Sequence, residues 1–212
     1  MLASNYTVQV IAGTEAFLIT LNKSQIIKAG ECIVVQEEEL ASMGSMETNN
    51  SALAVVEMKH NQKPSLPATE FTLVLDDIRD PGNLGTIIRT ADWYGIKNIV
   101  ASPETTDHYN PKVINTTMGS FLRVDVFYTP LEAFLSTTSL PTYGAFLEGE
   151  SVHSIKFSKG GLLVVGNEAR GISPAVEKRI RHRITIPRFG HAESLNASTA
   201  TAIILDNVRR QS

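Results

Sequence analysis

Three short polar stretches hold the residue types best suited to act on a substrate. In DDIRDPGNLGTIIR (76–89) they are Asn83 and Arg89; in VVGNEARGIS (164–173), Glu168 beside Arg170; in RFGHAESLNASTA (188–200), Ser194 and Asn196, with Glu193 close by. Carboxylate, amide, hydroxyl and guanidinium groups make a hydrogen-bonding, anion-stabilising set. Arginine stays protonated, with a pKa above about 12. Arg89 is therefore suited to holding a phosphate or a developing negative charge, and is an unlikely base on first principles. No metal-ligand cluster is visible. The single cysteine, Cys32, excludes a disulfide framework and a cysteine-based metal site. His60, His108, His153 and His191 carry no ligand spacing and read as surface residues.

Each polar stretch follows an apolar run: FTLVL (71–75), LLVVG (162–166) and RITIP (183–187). Further strand-like runs are KNIVAS (97–102), RVDVF (123–127) and YGAFL (143–147), with helix-like runs between several of them. Strands alternating with helices predict an α/β fold with a mostly parallel sheet. Ligands of such sheets bind beyond the carboxyl ends of the strands. Taken singly, each loop also fits an ordinary turn or capped helix; three together point to a composite site.

The glycines narrow the chemistry. The first loop has Gly82 and Gly85, but neither G-x-G-x-x-G nor G-x-x-x-x-G-K-[ST]. No acidic residue ends the second strand, which also argues against a dinucleotide-dependent oxidoreductase. Pro81 and Gly82 read as a turn and Asn83 as a helix cap. Arg89 lies about two turns in, and helix side chains lean toward the N-terminus, so a long Arg can reach back to the loop. Gly166, directly after a buried strand, permits close approach of a ligand to backbone. Asn110-Pro111 and Ser173-Pro174 read as helix starts, Ser194 and Asn196 suit another, and Gly95 reads as a helix stop.

The chain has 212 residues, 42% of them apolar, enough for one medium domain or one domain with a small appendage. The formal net charge of −3 excludes a globally basic nucleic-acid binder but not a local patch. Such a patch stands at EKRIRHRITIPR (177–188), where Lys178, Arg179, Arg181, Arg183 and Arg188 suit contact with phosphates. No run reaches the roughly 18–20 apolar residues of a membrane span. The N-terminus lacks the pattern of a signal peptide, so the expected location is the cytoplasm, with no membrane partner. Residues 58–70, polar and carrying two prolines, read as a linker.

At DDIRDPGNLGTIIRTADWYG, LLVVGNEARGIS and ITIPRFGHAESLNASTATAIIL the chain resembles the SpoU/TrmH family of RNA ribose 2′-O-methyltransferases, within the SPOUT superfamily. All three motifs occur in the family's order, over residues ~70–212. The resemblance implies a C-terminal deep trefoil knot, which no periodicity predicts, S-adenosylmethionine as methyl donor, and a homodimer without metal. By motif position, Asn83 and Arg89 match a first catalytic pair, Glu168 an acidic residue, and Ser194 and Asn196 the third motif. Asn83 would position Arg89 or the ribose. Gly166, Ile186 and Leu195 match cofactor-binding positions, and Arg179, Arg181 and Arg188 are candidates for RNA contact. Residues 1–57 resemble the later part of a ribosomal-protein-like substrate-binding domain, here read as truncated, which favours rRNA over tRNA. Asn115 stands where the family commonly has an Arg that grips RNA. The competing reading is a non-catalytic RNA-binding or assembly factor; the presence of Asn83, Arg89 and Gly166 speaks against it.

Overall fold

A computed structural model describes residues 1–44 and 49–211. The chain forms two compact units, residues 1–60 and 61–212. Positions 45–48, within the stretch read as substrate-binding, lie outside the described residues.

The first unit runs β1 (Val8–Gly13), α1 (Glu15–Leu18), α2 (Lys23–Lys28), β2 (Glu31–Val34), α3 (Glu37–Met43), β3 (Ala52–Val56). Its sheet has the order β2-β1-β3, with β2 parallel and β3 antiparallel to β1. Asn22 caps α2 in a reciprocal capping box with Gln25. The core is small: Val8, Ile11 and Ala29 are buried, with Phe17, Leu18 and Leu21 packed against them.

The second unit runs β4 (Phe71–Asp76), α4 (Pro81–Trp93), β5 (Asn98–Ala101), α5 (Pro111–Thr117), β6 (Asp125–Tyr128), α6 (Leu131–Ser136), β7 (Thr142–Ser151), β8 (Gly161–Gly166), α7 (Pro174–Glu177), β9 (His182–Thr185) and α8 (Ala197–Arg210). Six strands lie in the order β6-β5-β4-β8-β7-β9, and every neighbouring pair is parallel. All six apolar runs named above are strands. β4 is buried along its whole length and β8 nearly so, the pattern of strands covered on both faces.

α4 carries the first polar stretch, and its start differs from expectation. Asp80, not Asn83, is the cap: Asp80 Oδ1 accepts from Asn83 N at 2.8 Å. Pro81 takes the first helical position, where a missing N–H costs nothing. Asn83 is thus the third residue of the helix, with its side chain available elsewhere. Gly85 is also inside the helix. A Cβ there would come within 2.6 Å of Thr116 Cβ, so this glycine lets α5 pack closely on α4. Leu84, Ile87, Ile88 and Ala91 bury the other face. The helix ends as expected at Gly95, φ 68°, with Ile96 N donating to Ala91 O and Gly95 N to Asp92 O. Arg209 of α8 donates to Tyr94 O at 2.7 Å, tying the last helix to this terminus. Asp80→Ala should lower stability by about 1 kcal/mol through loss of the cap. In a domain of this size that shifts the thermal midpoint by roughly 2–4 °C. An unchanged midpoint in a melt would remove the cap from this account.

Candidate functional site

β4 and β8 are neighbours in register, Asp76 opposite Gly166, so their outgoing loops leave side by side. Asn83 Nδ2 donates to Glu168 Oε1 at 2.5 Å. Asn196 Nδ2 donates to Asn83 Oδ1 at 2.7 Å. Asn196 Oδ1 in turn accepts from Ser198 N (3.0 Å), Ser198 Oγ (2.6 Å) and Thr199 N (3.3 Å), making Asn196 the cap of α8. Each amide uses its nitrogen as donor and its oxygen as acceptor, so the chain α8–Asn196–Asn83–Glu168 has one polarity throughout. Three loops separated by 85 and 113 positions thus meet at one hydrogen-bonded cluster.

Two further sequence-derived residues are not joined to the cluster. Ser194 is exposed, two positions before the α8 cap. Arg89 is exposed on α4. At about 100° per residue, the six positions from Asn83 to Arg89 turn it roughly 120° around the axis. Asn83 is therefore not the residue that positions Arg89, a correction to that part of the expectation. Arg89 shares its open face with Thr86 and Trp93, the latter 84% exposed.

Glu168 is presented by a tight loop. Asn167 N and Gly171 O pair at 3.1 Å, Gly171 N and Asn167 O at 2.8 Å. Asn167 Oδ1 accepts from Ala169 N and Arg170 N. Buried Asp76 accepts from Ser173 N at 2.7 Å and fixes the loop's exit. Gly166 is required by this fold-back: a Cβ would lie 2.3 Å from Gly171 C and 2.4 Å from Ile172 N. The sequence suggested room for a ligand here; the backbone packed against Gly166 is the chain's own.

The other cofactor candidates flank β9. Ile186, just beyond the strand, is half-buried, and Leu195 is 45% exposed. Sequence reasoning passed over the strand between them and Gly166. β7 lies between β8 and β9, and its register slips so that both Ala145 and Glu150 face Ile184. Residues 146–149 bulge out there, and Thr185 Oγ1 donates to Leu147 O at 3.0 Å. The available signal was Gly149 between two glutamates; a Cβ on it would meet Arg183 O at 2.6 Å.

The basic stretch is largely engaged with its own chain. Arg179 pairs with Glu132 at 3.4 Å. Arg181 donates to Ser139 O (3.1 Å) and Thr138 O (3.5 Å). Arg183 pairs with Glu177 and lies 3.7 Å over the Phe146 ring. Arg188 Nη1 donates to Ala192 O at 3.3 Å. Asn115 is exposed on α5. His108 is not a surface residue: its side chain is 12% exposed and its ring stacks against Tyr128. Burial raises the Tyr128 hydroxyl above the ordinary tyrosine range.

Among the described residues there is no group of three metal-ligating side chains, and no helix is long and apolar enough to cross a membrane. An open depression in the first unit, lined by Ile11, Phe17, Leu21 and Ala52 among others, has no ionisable side chain in its lining.

Residues 70–206 match the family model described as the SpoU rRNA Methylase family. The chain belongs to this family. It is 31% identical over 183 residues to the 23S rRNA (guanosine(2553)-2′-O)-methyltransferase RlmP of Bacillus subtilis, spanning 84% of this chain and 73% of that protein. Among solved structures, an RNA methyltransferase assigned to the TrmH family from Porphyromonas gingivalis superposes with a TM-score of 0.89 at 33% identity, over 98% of this chain and 84% of that one. The AdoMet-bound rRNA methyltransferase of Sinorhizobium meliloti gives 0.85 at 26% identity, over 97% and 81%. The SpoU motifs read from sequence and the parallel α/β sheet are those of this family.

Proposed function

We propose that this SpoU-family chain transfers a methyl group from S-adenosylmethionine to a ribose 2′-hydroxyl of RNA, with ribosomal RNA the substrate rather than tRNA. The observation that carries the reading is the Asn83–Glu168–Asn196 cluster, which joins all three SpoU motifs at the carboxyl ends of the strands. The Bacillus relative, named for 23S rRNA, supports the substrate class, and the AdoMet-bound neighbour supports the donor.

When bound, S-adenosylmethionine supplies an electrophilic methyl on a cationic sulfonium. The residues at the ends of β8, β7 and β9 fit it. Half-buried Ile186 with exposed Leu195 and Leu147 offers apolar surface, and the backbone at Gly166 and in the bulge offers polar contacts. Asn83 commits both ends of its amide within the cluster, which holds the Glu168 carboxylate in one orientation. The second oxygen of Glu168 is then placed to accept from a ribose hydroxyl. Arg89 meets the RNA phosphate and stabilises negative charge on the ribose oxygen as the hydroxyl proton passes to the Glu168 carboxylate that accepts from it. Ser194 lines the substrate edge.

Several wider features belong to the same reading. The C-terminal part of the second unit forms a deep trefoil knot, and two chains pair as a homodimer. Residues 1–57 act in RNA substrate binding, joined by the linker 58–70, and the enzyme works in the cytoplasm without metal. The direct test incubates the chain with tritiated S-adenosylmethionine and total RNA, then maps the modified ribose. The expected result is label in rRNA at a discrete 2′-O position. Absence of label from both rRNA and tRNA, with cofactor bound, would favour a non-catalytic RNA-binding factor instead.

A further inference from the structure

An RNA substrate has to be held through its phosphates, yet Arg179, Arg181 and Arg183 are engaged within the chain. Besides Arg89, two arginines beyond β4 and β8 keep Nη donors for which no hydrogen bond is found among the described residues. Arg79 Nε donates to Asp77 Oδ1 at 2.6 Å. Arg170 Nη1 stands 3.9 Å from Asp77 Oδ2, an ion pair too long for a hydrogen bond. The two arginine side chains are 57% and 72% exposed. A single carboxylate therefore gathers guanidiniums from two different loops and leaves both outer forks facing solvent.

Asp77 is itself held in an unusual way. Its φ is 60°, a left-handed conformation that few non-glycine residues adopt. Its backbone N donates to Ser102 Oγ at 3.0 Å, and Asn167 Nδ2 donates to its carbonyl at 2.9 Å and its carboxylate at 3.4 Å. A left-handed residue fixed by this many partners holds its carboxylate in one place, where it can set the spacing of the two arginines. Asn167 also closes the loop that presents Glu168, so the arginine pair and the Asn83–Glu168–Asn196 cluster are built on the same two loops. Most neighbouring carboxylates are already committed: Asp76 to Ser173 N, Asp80 to Asn83 N, Glu168 to Asn83 Nδ2. Glu104 also faces Arg79.

We infer that Arg79 and Arg170 form a two-pronged clip for the RNA phosphates flanking the methylated ribose, with Asp77 as the positioning residue that sets their spacing. This rests on the RNA-methyltransferase reading above. A guanidinium fork matches a phosphate in a bidentate way that a lysine ammonium does not.

The test compares the full chain with Arg79→Ala/Arg170→Ala and Arg79→Lys/Arg170→Lys. The probe is deproteinised total ribosomal RNA with tritiated S-adenosylmethionine. The alanine pair should raise KM for RNA roughly tenfold and flatten its dependence on log salt by about 1.5–2, with kcat at saturating RNA within about threefold. Affinity for S-adenosylmethionine, read by calorimetry, should not change. The lysine pair should regain the salt slope but only part of the KM. An active alanine pair with unchanged KM and salt slope overturns the clip and leaves a solvated ion cluster. Lost cofactor affinity, or a lowered thermal midpoint that the lysine pair restores, also overturns it, because the role is then structural. A wild-type chain that binds cofactor but labels no RNA overturns the broader reading and the clip together.

Discussion

Arg89→Ala should cut methyl transfer to RNA by roughly 10²–10³-fold while leaving affinity for S-adenosylmethionine within about twofold. Arg89 is exposed on α4, and among the described residues it has no hydrogen-bond or ion-pair partner. Its removal leaves no buried group unsatisfied, and alanine is the better helix former. Stability should therefore hold, so a lost rate cannot be ascribed to unfolding. The Asn83–Glu168–Asn196 cluster lies about 120° away around the helix and should persist. What disappears is a guanidinium that meets the RNA phosphate and offsets charge developing on the ribose oxygen. A group acting only in the transition state lowers kcat and kcat/KM together. Arg89→Lys should recover part of the rate, since a point charge remains but the planar fork does not. Single-turnover labelling at saturating RNA, paired with calorimetry on the cofactor, separates these effects. Normal turnover in Arg89→Ala would sink the proposed mechanism, and a matching loss of cofactor affinity would move Arg89 to the donor side of the site.

How much of this was legible before the structure depends on range. The central strands β4, β5 and β8 were readable because strands covered on both faces form continuous apolar runs, whereas the edge strands β6 and β9 are only partly buried and showed only as short apolar runs. The α4 terminus was legible in principle. The rule that placed caps before Pro111 and Pro174 also places one at Asp80 before Pro81, and Asn83 drew attention only because its type suits a cap. The sheet order was not legible. Nothing local says that β8 inserts between β4 and β7, yet that insertion is what brings Glu168 to Asn83. The same limit hid the partners of the basic stretch. Arg179 finds Glu132 and Arg181 finds Ser139, each about forty positions upstream. A charge run in sequence states only how many cations there are, while the fold decides which keep their donors. His108 shows the converse: a lone histidine with no ligand spacing is mostly covered by a ring stack with Tyr128, twenty positions on.

Gly166 separates two physical explanations that the sequence alone could not. If the glycine served only to admit a ligand to the backbone, Gly166→Ala would weaken cofactor binding and leave the thermal midpoint where it was. The structure predicts otherwise. A Cβ at this position would sit 2.3 Å from Gly171 C, 2.4 Å from Ile172 N and 2.5 Å from Gly171 O, all backbone atoms that cannot rotate aside. The loop 167–171 is pinned at both ends by the Asn167–Gly171 pairing and the bond from Ser173 N to Asp76, so relief requires moving the whole loop. Overpacking of this kind costs about 1–3 kcal/mol, or roughly 2–4 °C of thermal midpoint per kcal/mol at this chain length. The displaced loop carries Glu168 away from Asn83, so methyl transfer should also fall, by at least about tenfold. Gly171→Asn provides the control. Its φ is 70°, which asparagine tolerates, and no atom lies within 4 Å of its Cβ position. That variant carries backbone strain but no clash, so it should lose less stability than Gly166→Ala and keep nearly normal turnover. A Gly166→Ala protein with a wild-type melting curve would return the residue to its ligand-clearing role. One that melts early and still methylates at full rate would show that the Asn83–Glu168 hydrogen bond is not needed for catalysis.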